Sequence, residues 1–176
     1  AAWNARADEP HYVSVNVAGA QIQRDEILVE VARAVRESGI EPSQLLLEVT
    51  ETGLIQDSEG NERRLDELRE LGVRLAIDDF GTGYSSLSYL QRFSMDVLKI
   101  DKAFVDDIAV GQRAPLVEAM ITMAGALDLK VIAEGIETPG QMFALQELGC
   151  HIGQGFLFSR AVPAHEIQTE LGEPVA

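Results

Sequence analysis

Two adjacent carboxylates, Asp78-Asp79, close the apolar run Leu75-Ala76-Ile77 and open a loop punctuated by glycine, Phe80-Gly81-Thr82-Gly83-Tyr84-Ser85-Ser86-Leu87. Neighbouring like charges repel, and an ionised pair is best tolerated when a divalent cation, or two, lies between them. Gly81 and Gly83 admit backbone angles closed to other residues, so the loop can fold over a ligand or release it. Asp-Asp pairs also cap helices and decorate turns. A metal site and a solvated acidic strand end therefore both stand at this point. Further polar groups recur in comparable places. Asn16, Glu48, Glu51, Lys99, Asp101, Glu134, Glu137 and Gln154 all lie at or just past the ends of short apolar segments.

The segments that carry these groups read as strands alternating with helices. His11 to Val17 alternates and is β-rich; Asp25 then offers an N-cap to a helix through about Ser38, with Ile27, Leu28, Val31 and Val35 on one stripe and Gly39 as its stop. Leu45 to Glu51 is a continuous apolar strand, followed by a helix near Asn61 to Leu71 with Leu65, Leu68 and Leu71 inward. Arg74 to Asp79 is the third strand, with a short helical stretch from about Ser85 to Gln91 beyond the glycine loop. Val97 to Asp101 is the fourth strand, and Leu116, Met120, Met123 and Leu127 mark a helix from about Pro115 to Leu127. Lys130 to Glu134 is the fifth. Thr138-Pro139-Gly140-Gln141 announces a helix that Gly149 ends, because it combines a capping Thr, a Pro at the first helical position and a Gln two residues on. Cys150 to Gly155 is a weaker sixth strand, and Pro163 to Leu171 a last helix.

Six strand-helix units with buried-type strands imply parallel strands joined by right-handed crossovers, hence an α/β fold that is either an open doubly wound sheet or a (β/α) barrel of the TIM type. The polar groups at strand ends come from six different units. A barrel gathers them at one mouth, whereas an open sheet spreads them along an edge, so the barrel is favoured. A complete barrel has eight strands and about 250 residues, so only about six of the eight units are expected here.

At 176 residues the chain has room for one domain with a sizeable core, and 46% hydrophobic with 24% charged is an ordinary globular composition. Fourteen Lys and Arg against 29 Asp and Glu give a formal charge of −15, which argues against general nucleic-acid binding through phosphate contacts. A phosphate ligand would need a metal bridge. The single cysteine, Cys150, excludes an intrachain disulfide and a Cys-rich zinc site; it reads as core and suits a reducing compartment. No apolar run approaches the roughly 20 residues of a membrane span, so no membrane contact by this domain is expected.

Six blocks in order carry a family resemblance: Val13-Ser14-Val15-Asn16-Val17, Leu47-Glu48-Val49-Thr50-Glu51-Thr52, the Asp78 to Leu87 run, Leu98-Lys99-Ile100-Asp101, Val131-Ile132-Ala133-Glu134-Gly135-Ile136-Glu137-Thr138 and Gln154-Gly155-Phe156-Leu157-Phe158-Ser159-Arg160. Together they resemble the EAL-domain phosphodiesterases, which hydrolyse the bacterial second messenger cyclic di-GMP to linear pGpG. The resemblance covers nearly the whole chain. It implies that Asn16, Glu48 and Asp78 bind one Mg²⁺ or Mn²⁺ and that Asp78, Asp79 and Glu134 bind a second. Oxygen ligands of this kind suit hard cations. It further implies that Lys99 orients or deprotonates the attacking water, that Glu51 holds the glycine loop, and that Glu137, Gln154 and Asp101 contact ligand or support the site. For Lys99 the alternative is a salt bridge to neighbouring acids, and for Glu137 a helix-start carboxylate. Residues 1–10 read as irregular or as the tail of a preceding helix, and 11–176 as the larger, C-terminal part of an EAL domain. The resemblance also allows a homodimer, further signalling domains in the parent chain, and a cytoplasmic location with any membrane anchor elsewhere.

There are departures from the pattern. The Glu-Ala-Leu signature that names the family, whose glutamate is a ligand of the first metal, is absent, as is the nearby arginine that contacts ligand phosphate. Glu118-Ala119-Met120 is no substitute, because it falls within a helix. Ala18-Gly19 stands where Ser-Ala-Arg is usual, Phe156 where tyrosine is, and Ala161-Val162 where Pro-Leu is. Two function classes follow: a metal-dependent phosphodiesterase, or an inactive EAL-like module that binds cyclic di-GMP or a protein partner. A phospho-acceptor receiver also uses strand-end aspartates and a lysine, but it leaves Asn16, Glu48 and Glu134 without a role.

Overall fold

The computed structural model describes residues 11–55, 58–81, 90, 92–108, 114–164 and 166–167. Its centre is a six-stranded sheet, β1 (Val13–Val17), β2 (Leu45–Thr50), β3 (Arg74–Phe80), β4 (Val97–Ile100), β5 (Lys130–Ala133) and β6 (Ile152–Gly153). Neighbours pair in parallel and in sequence order, β1-β2-β3-β4-β5-β6. That order decides between the two expected architectures. A doubly wound sheet reverses its strand order at a switch point. Without a reversal, right-handed crossovers all fall on one face, and the sheet is the curved wall of a half-barrel. The helices are α1 (Gly19–Ile22), α2 (Glu26–Ser38), α3 (Glu51–Ile55), α4 (Ser58–Glu70), α5 (Lys102–Asp106), α6 (Pro115–Ala126) and α7 (Pro139–Glu147), with a 3-10 turn at Pro42–Gln44.

Alternation along the strands separates two kinds of interior. On one face Leu45, Leu47, Val49, Leu75, Ile77, Leu98, Ile100 and Ala133 join Ile27, Val31, Leu65, Leu68, Val117, Ala124 and Leu145 from the helices in one continuous core. Each large aliphatic side chain buried there contributes roughly 1.5–3 kcal/mol. The other face carries a small separate cluster, Leu46, Ala76, Val97 and Ile132. One step further toward the strand ends, that face turns polar with Glu48, Asp78 and Lys99.

The helix signals mostly act as expected. The α2 stripe is buried at Ile27 and Val31, and Gly39, left-handed at φ 66°, caps the helix by donating its N–H to the Val35 carbonyl. Asp25 does not cap α2 with its side chain. Its carboxylate instead accepts from Arg63 (2.9 Å) and Arg64 (3.0 Å), tying α2 to α4. Thr138 and Gln141 form the reciprocal capping box of α7. Glu118 to Met120 lie within α6, as expected, and Met120, Met123 and Leu127 pack on the core, but Leu116 in its first turn is exposed. Of the stretch from Ser85 to Gln91 only Leu90, which is buried, is among the described residues, and most of the last helix lies outside them.

Cys150 is buried, and burial pushes its thiol pKa up. Folded protein at neutral pH is therefore expected to leave a disulfide reagent almost unreacted over the time in which urea-unfolded protein reacts completely. Fast reaction of folded protein would show that the β5–β6 region opens readily.

Candidate active site

The site starts with a strand irregularity. Between β3 and β4, Ile77 pairs with Leu98 and Phe80 with Ile100, so β3 takes three steps where β4 takes two. One residue of β3 is extra, which defines a bulge. Asp79 adopts φ 55°, a left-handed conformation that Asp tolerates better than most residues. The bulge lets Asp78 stay on the inner face with Ala76 while Phe80 returns to the helix-side core, where it is buried. Strict alternation would have sent one of the two carboxylates into that core. Instead Asp79 donates its backbone N–H to the Asp78 carboxylate (3.0 Å), and its own carboxyl lies near enough to Asp101 to feel its charge.

Lys99 is the centre of the cluster. Its side chain is 3% exposed, and its ammonium lies 2.5 Å from Glu48, 3.2 Å from Asp78 and 2.5 Å from Glu134. The partners come from β2, β3 and the residue following β5, so three separate elements converge on one cation. Taking an ammonium out of water costs several kcal/mol unless its partners compensate. Burial alone would lower the Lys99 pKa, but its hydrogen bonds to Glu134 and Glu48 and the charges of Glu134 and Asp78 hold it well above the ordinary value. Burial raises the Glu134 pKa against the pull of Lys99, with the charges of Asp78 and Glu48 adding to the rise. Asp79 is likewise raised, first by burial and then by the charges of Asp78 and Asp101.

The remaining expected residues fall around this centre. Asn16, exposed at the end of β1, stands in register with Glu48. Glu51 is buried at the start of α3 and accepts the N–H of Gly81 (3.3 Å). It therefore grips the first residue of the glycine loop, which has φ 92°; the loop's Thr82 to Leu87 lie outside the described residues. Asp101 caps α5 by accepting from the Ala103 N–H (2.9 Å). Gln154 borders a cleft of about 360 Å³ on the inner face together with Ser14, Glu48 and Phe158. Glu137 stands apart, exposed and paired with Lys102 (3.0 Å).

Two further residues, beyond the expected site set, support the site. Asn61, fully buried, donates its amide to the Gly53 and Leu54 carbonyls (both 3.2 Å) and so braces α3, the helix that carries Glu51. Gln141 accepts the N–H of Glu137 (2.9 Å) as well as that of Thr138, fixing the turn beyond Glu134. The Thr-x-x-Gln pattern signals the second of these; a lone Asn at a helix start gives no signal for the first.

The donors suit a hard divalent cation, and the Lys99 ammonium stands in for one among Glu48, Asp78 and Glu134. No three His, Cys, Asp or Glu side chains among the described residues are themselves gathered closely enough to hold a metal. The carboxylates close on the ammonium instead.

A parallel half-barrel wall with a buried lysine and acids from several strand ends defines an α/β enzyme-type site at the C-terminal ends of the strands. The sequence matches the EAL domain over residues 1–161, and the chain belongs to that family. It is 47% identical over 152 residues to the cyclic di-GMP phosphodiesterase NbdA of Pseudomonas aeruginosa, covering 86% of this chain and 19% of the relative. The fold resembles that of the PaMucR phosphodiesterase in its c-di-GMP complex, with TM-score 0.82, 39% identity, and coverage of 89% of this chain and 70% of that one. It also resembles Klebsiella pneumoniae BlrP1 in a manganese and cyclic di-GMP complex, with TM-score 0.78, 37% identity, and coverage of 85% and 39%. This chain thus spans less than a quarter of the length of NbdA. Among the described residues no helix is long and apolar enough to cross a membrane.

Proposed function

We propose that this chain carries the catalytic wall of a metal-dependent phosphodiesterase that adds water across one phosphodiester linkage of cyclic di-GMP, giving linear pGpG. The observation that carries this reading is the convergence of Glu48, Asp78 and Glu134, from three elements, on one buried cation position. It is supported by family membership and by a relative and solved neighbours that bear the activity or the ligand in their names.

Asn16, Glu48 and Asp78 would hold one Mg²⁺ or Mn²⁺, and Asp78, Asp79 and Glu134 a second. Bound there, the cations supply Lewis-acid polarisation of the phosphodiester and a nucleophile at neutral pH. Asp79 would join the second position from the bulge beside Asp78, where it feels the charges of Asp78, Asp101 and Lys99. Lys99 would orient the attacking water or take its proton, and in its cationic form it would offset charge on phosphate oxygens. Glu51 sets the glycine loop through Gly81. Gln154 supplies an amide at the inner-face cleft, and Glu137 with Lys102 borders the turn beyond Glu134. The same reading extends to a cytoplasmic homodimer with further signalling domains in the parent chain.

The test is chromatographic detection of pGpG from cyclic di-GMP with Mn²⁺ or Mg²⁺, after circular dichroism has established folding. Turnover is expected with metal and is expected to stop on chelation. Folded, metal-loaded protein that binds cyclic di-GMP without turnover would make it a binding module instead.

A further inference from the structure

The Lys99 ammonium lies among three carboxylates, hydrogen-bonded to Glu48 and within ion-pair distance of Asp78 and Glu134. It is engaged by the acids from three separate elements. Its three partners are also among the groups read as metal ligands. The arrangement shown and a metal-loaded arrangement therefore differ in where Lys99 points. The same oxygens cannot close on an ammonium at this distance and on a divalent cation as well without two like charges standing a few ångströms apart in a poorly solvated site.

We propose that Lys99 is a built-in counter-ion that competes with the divalent cations for Glu48, Asp78 and Glu134, so that metal binding expels its ammonium from the carboxylate cage and frees it to face the substrate. The proposal rests on the metal-site reading above and adds an exchange to it. Before metal binds, one ammonium neutralises part of a cluster that would otherwise be self-repelling and buried, allowing the strand ends to assemble. The cost is weakened metal affinity, because binding must first break three short ion pairs. A lysine that only oriented water would still repel the cations through its charge, but its ammonium would stay in place when metal binds, so the position of the Lys99 signal separates the two roles.

Lys99→Met keeps a similar buried volume and removes the charge. Titration with Mn²⁺, followed calorimetrically and by the paramagnetic resonance of free Mn²⁺, is expected to give a dissociation constant lower by about tenfold or more in the variant. Mn²⁺ is also expected to raise the variant's melting temperature by more than it raises that of the wild type. If the wild type binds Mn²⁺ and the folded variant binds it no more tightly, the counter-ion role is overturned and the metal site stands. If neither binds Mn²⁺, both are overturned. Should the variant fail to fold, the wild type decides alone. The chain has only three lysines, Lys99, Lys102 and Lys130, so ¹⁵N-lysine spectra resolve each ammonium. Saturating Mg²⁺ is expected to shift or exchange-broaden the Lys99 signal while the Lys130 signal stays in place. A Lys99 signal unmoved by Mg²⁺ would overturn the proposal.

Discussion

Replacing Asp78 by asparagine is expected to lower metal-dependent hydrolysis of cyclic di-GMP by more than about a hundredfold, since losing even a hydrogen-bond partner of a metal ligand costs 10–100-fold, and to leave the fold in place. Asp78 is the carboxylate that both proposed cation positions share. It lies 3.2 Å from the Lys99 ammonium and accepts the Asp79 N–H at 3.0 Å. Asparagine keeps the shape and can still accept that N–H, so the bulge has no reason to collapse. What is lost is one negative charge at the point where two cations must be held close together. The fold is expected to tolerate that loss, because the substitution removes like-charge repulsion from a cluster in which Asp79 and Glu134 already have raised pKa values. Product formation at saturating Mn²⁺ is the measurement, with circular dichroism alongside. Activity within about tenfold of wild type would remove Asp78 from the metal-bridging role.

The sequence was legible wherever one residue's type sufficed to mark a boundary. Gly39, Thr138 with Gln141, and the apolar runs of β2 and β4 each declare themselves locally, and the structure has each in its expected element. Legibility fails where the third dimension sets the outcome. Strand periodicity places Asp78 and Asp79 on opposite faces, and only the unequal step count against β4 reveals that Asp79 is an extra residue. That bulge depends on pairing with a strand some twenty residues away, so no local pattern encodes it. Asp25 shows the reverse failure. Its position before α2 is that of a capping residue, but Arg63 and Arg64 offer its carboxylate charged partners from α4.

Lys99 illustrates how far residue type can go. Its place at a strand end among acids permits either a salt bridge or a part in the chemistry. The structure has the salt bridge, threefold and buried, and the proposed exchange makes the two readings successive states of one side chain. Polar groups alone likewise favour the barrel, the fold that gathers six strand ends at one mouth. Sequential strand order now supplies the stronger reason, since a sheet without a reversal has no switch point at which an open-sheet site could form.

The largest effect on stability is expected from Gly155→Ala, at about 3 kcal/mol or more, which for a domain of this size lowers the melting temperature by about 6–12 °C. Beyond β5 the chain is fastened to β6 by backbone bonds: Gln154 N–H to the Ala133 carbonyl (2.8 Å), Ile136 N–H to the Gln154 carbonyl (3.0 Å) and Leu157 N–H to the Ile136 carbonyl (2.9 Å). Gly155 lies inside this fastening. A Cβ there would meet the oxygen, nitrogen and carbonyl carbon of Ile136, and backbone atoms cannot swing aside as a side-chain tip can. Relief requires the two segments to part, which breaks those hydrogen bonds and leaves the amide of buried Ile136 without its partner. The same movement carries Glu134, two residues before Ile136, away from Lys99. The substitution should therefore weaken Mn²⁺ binding together with stability, whereas Asp78→Asn should weaken binding alone. Thermal unfolding of the three proteins with and without Mn²⁺ separates these effects. A Gly155→Ala protein that melts within about 2 °C of wild type would mean that this fastening yields easily and does not hold the site.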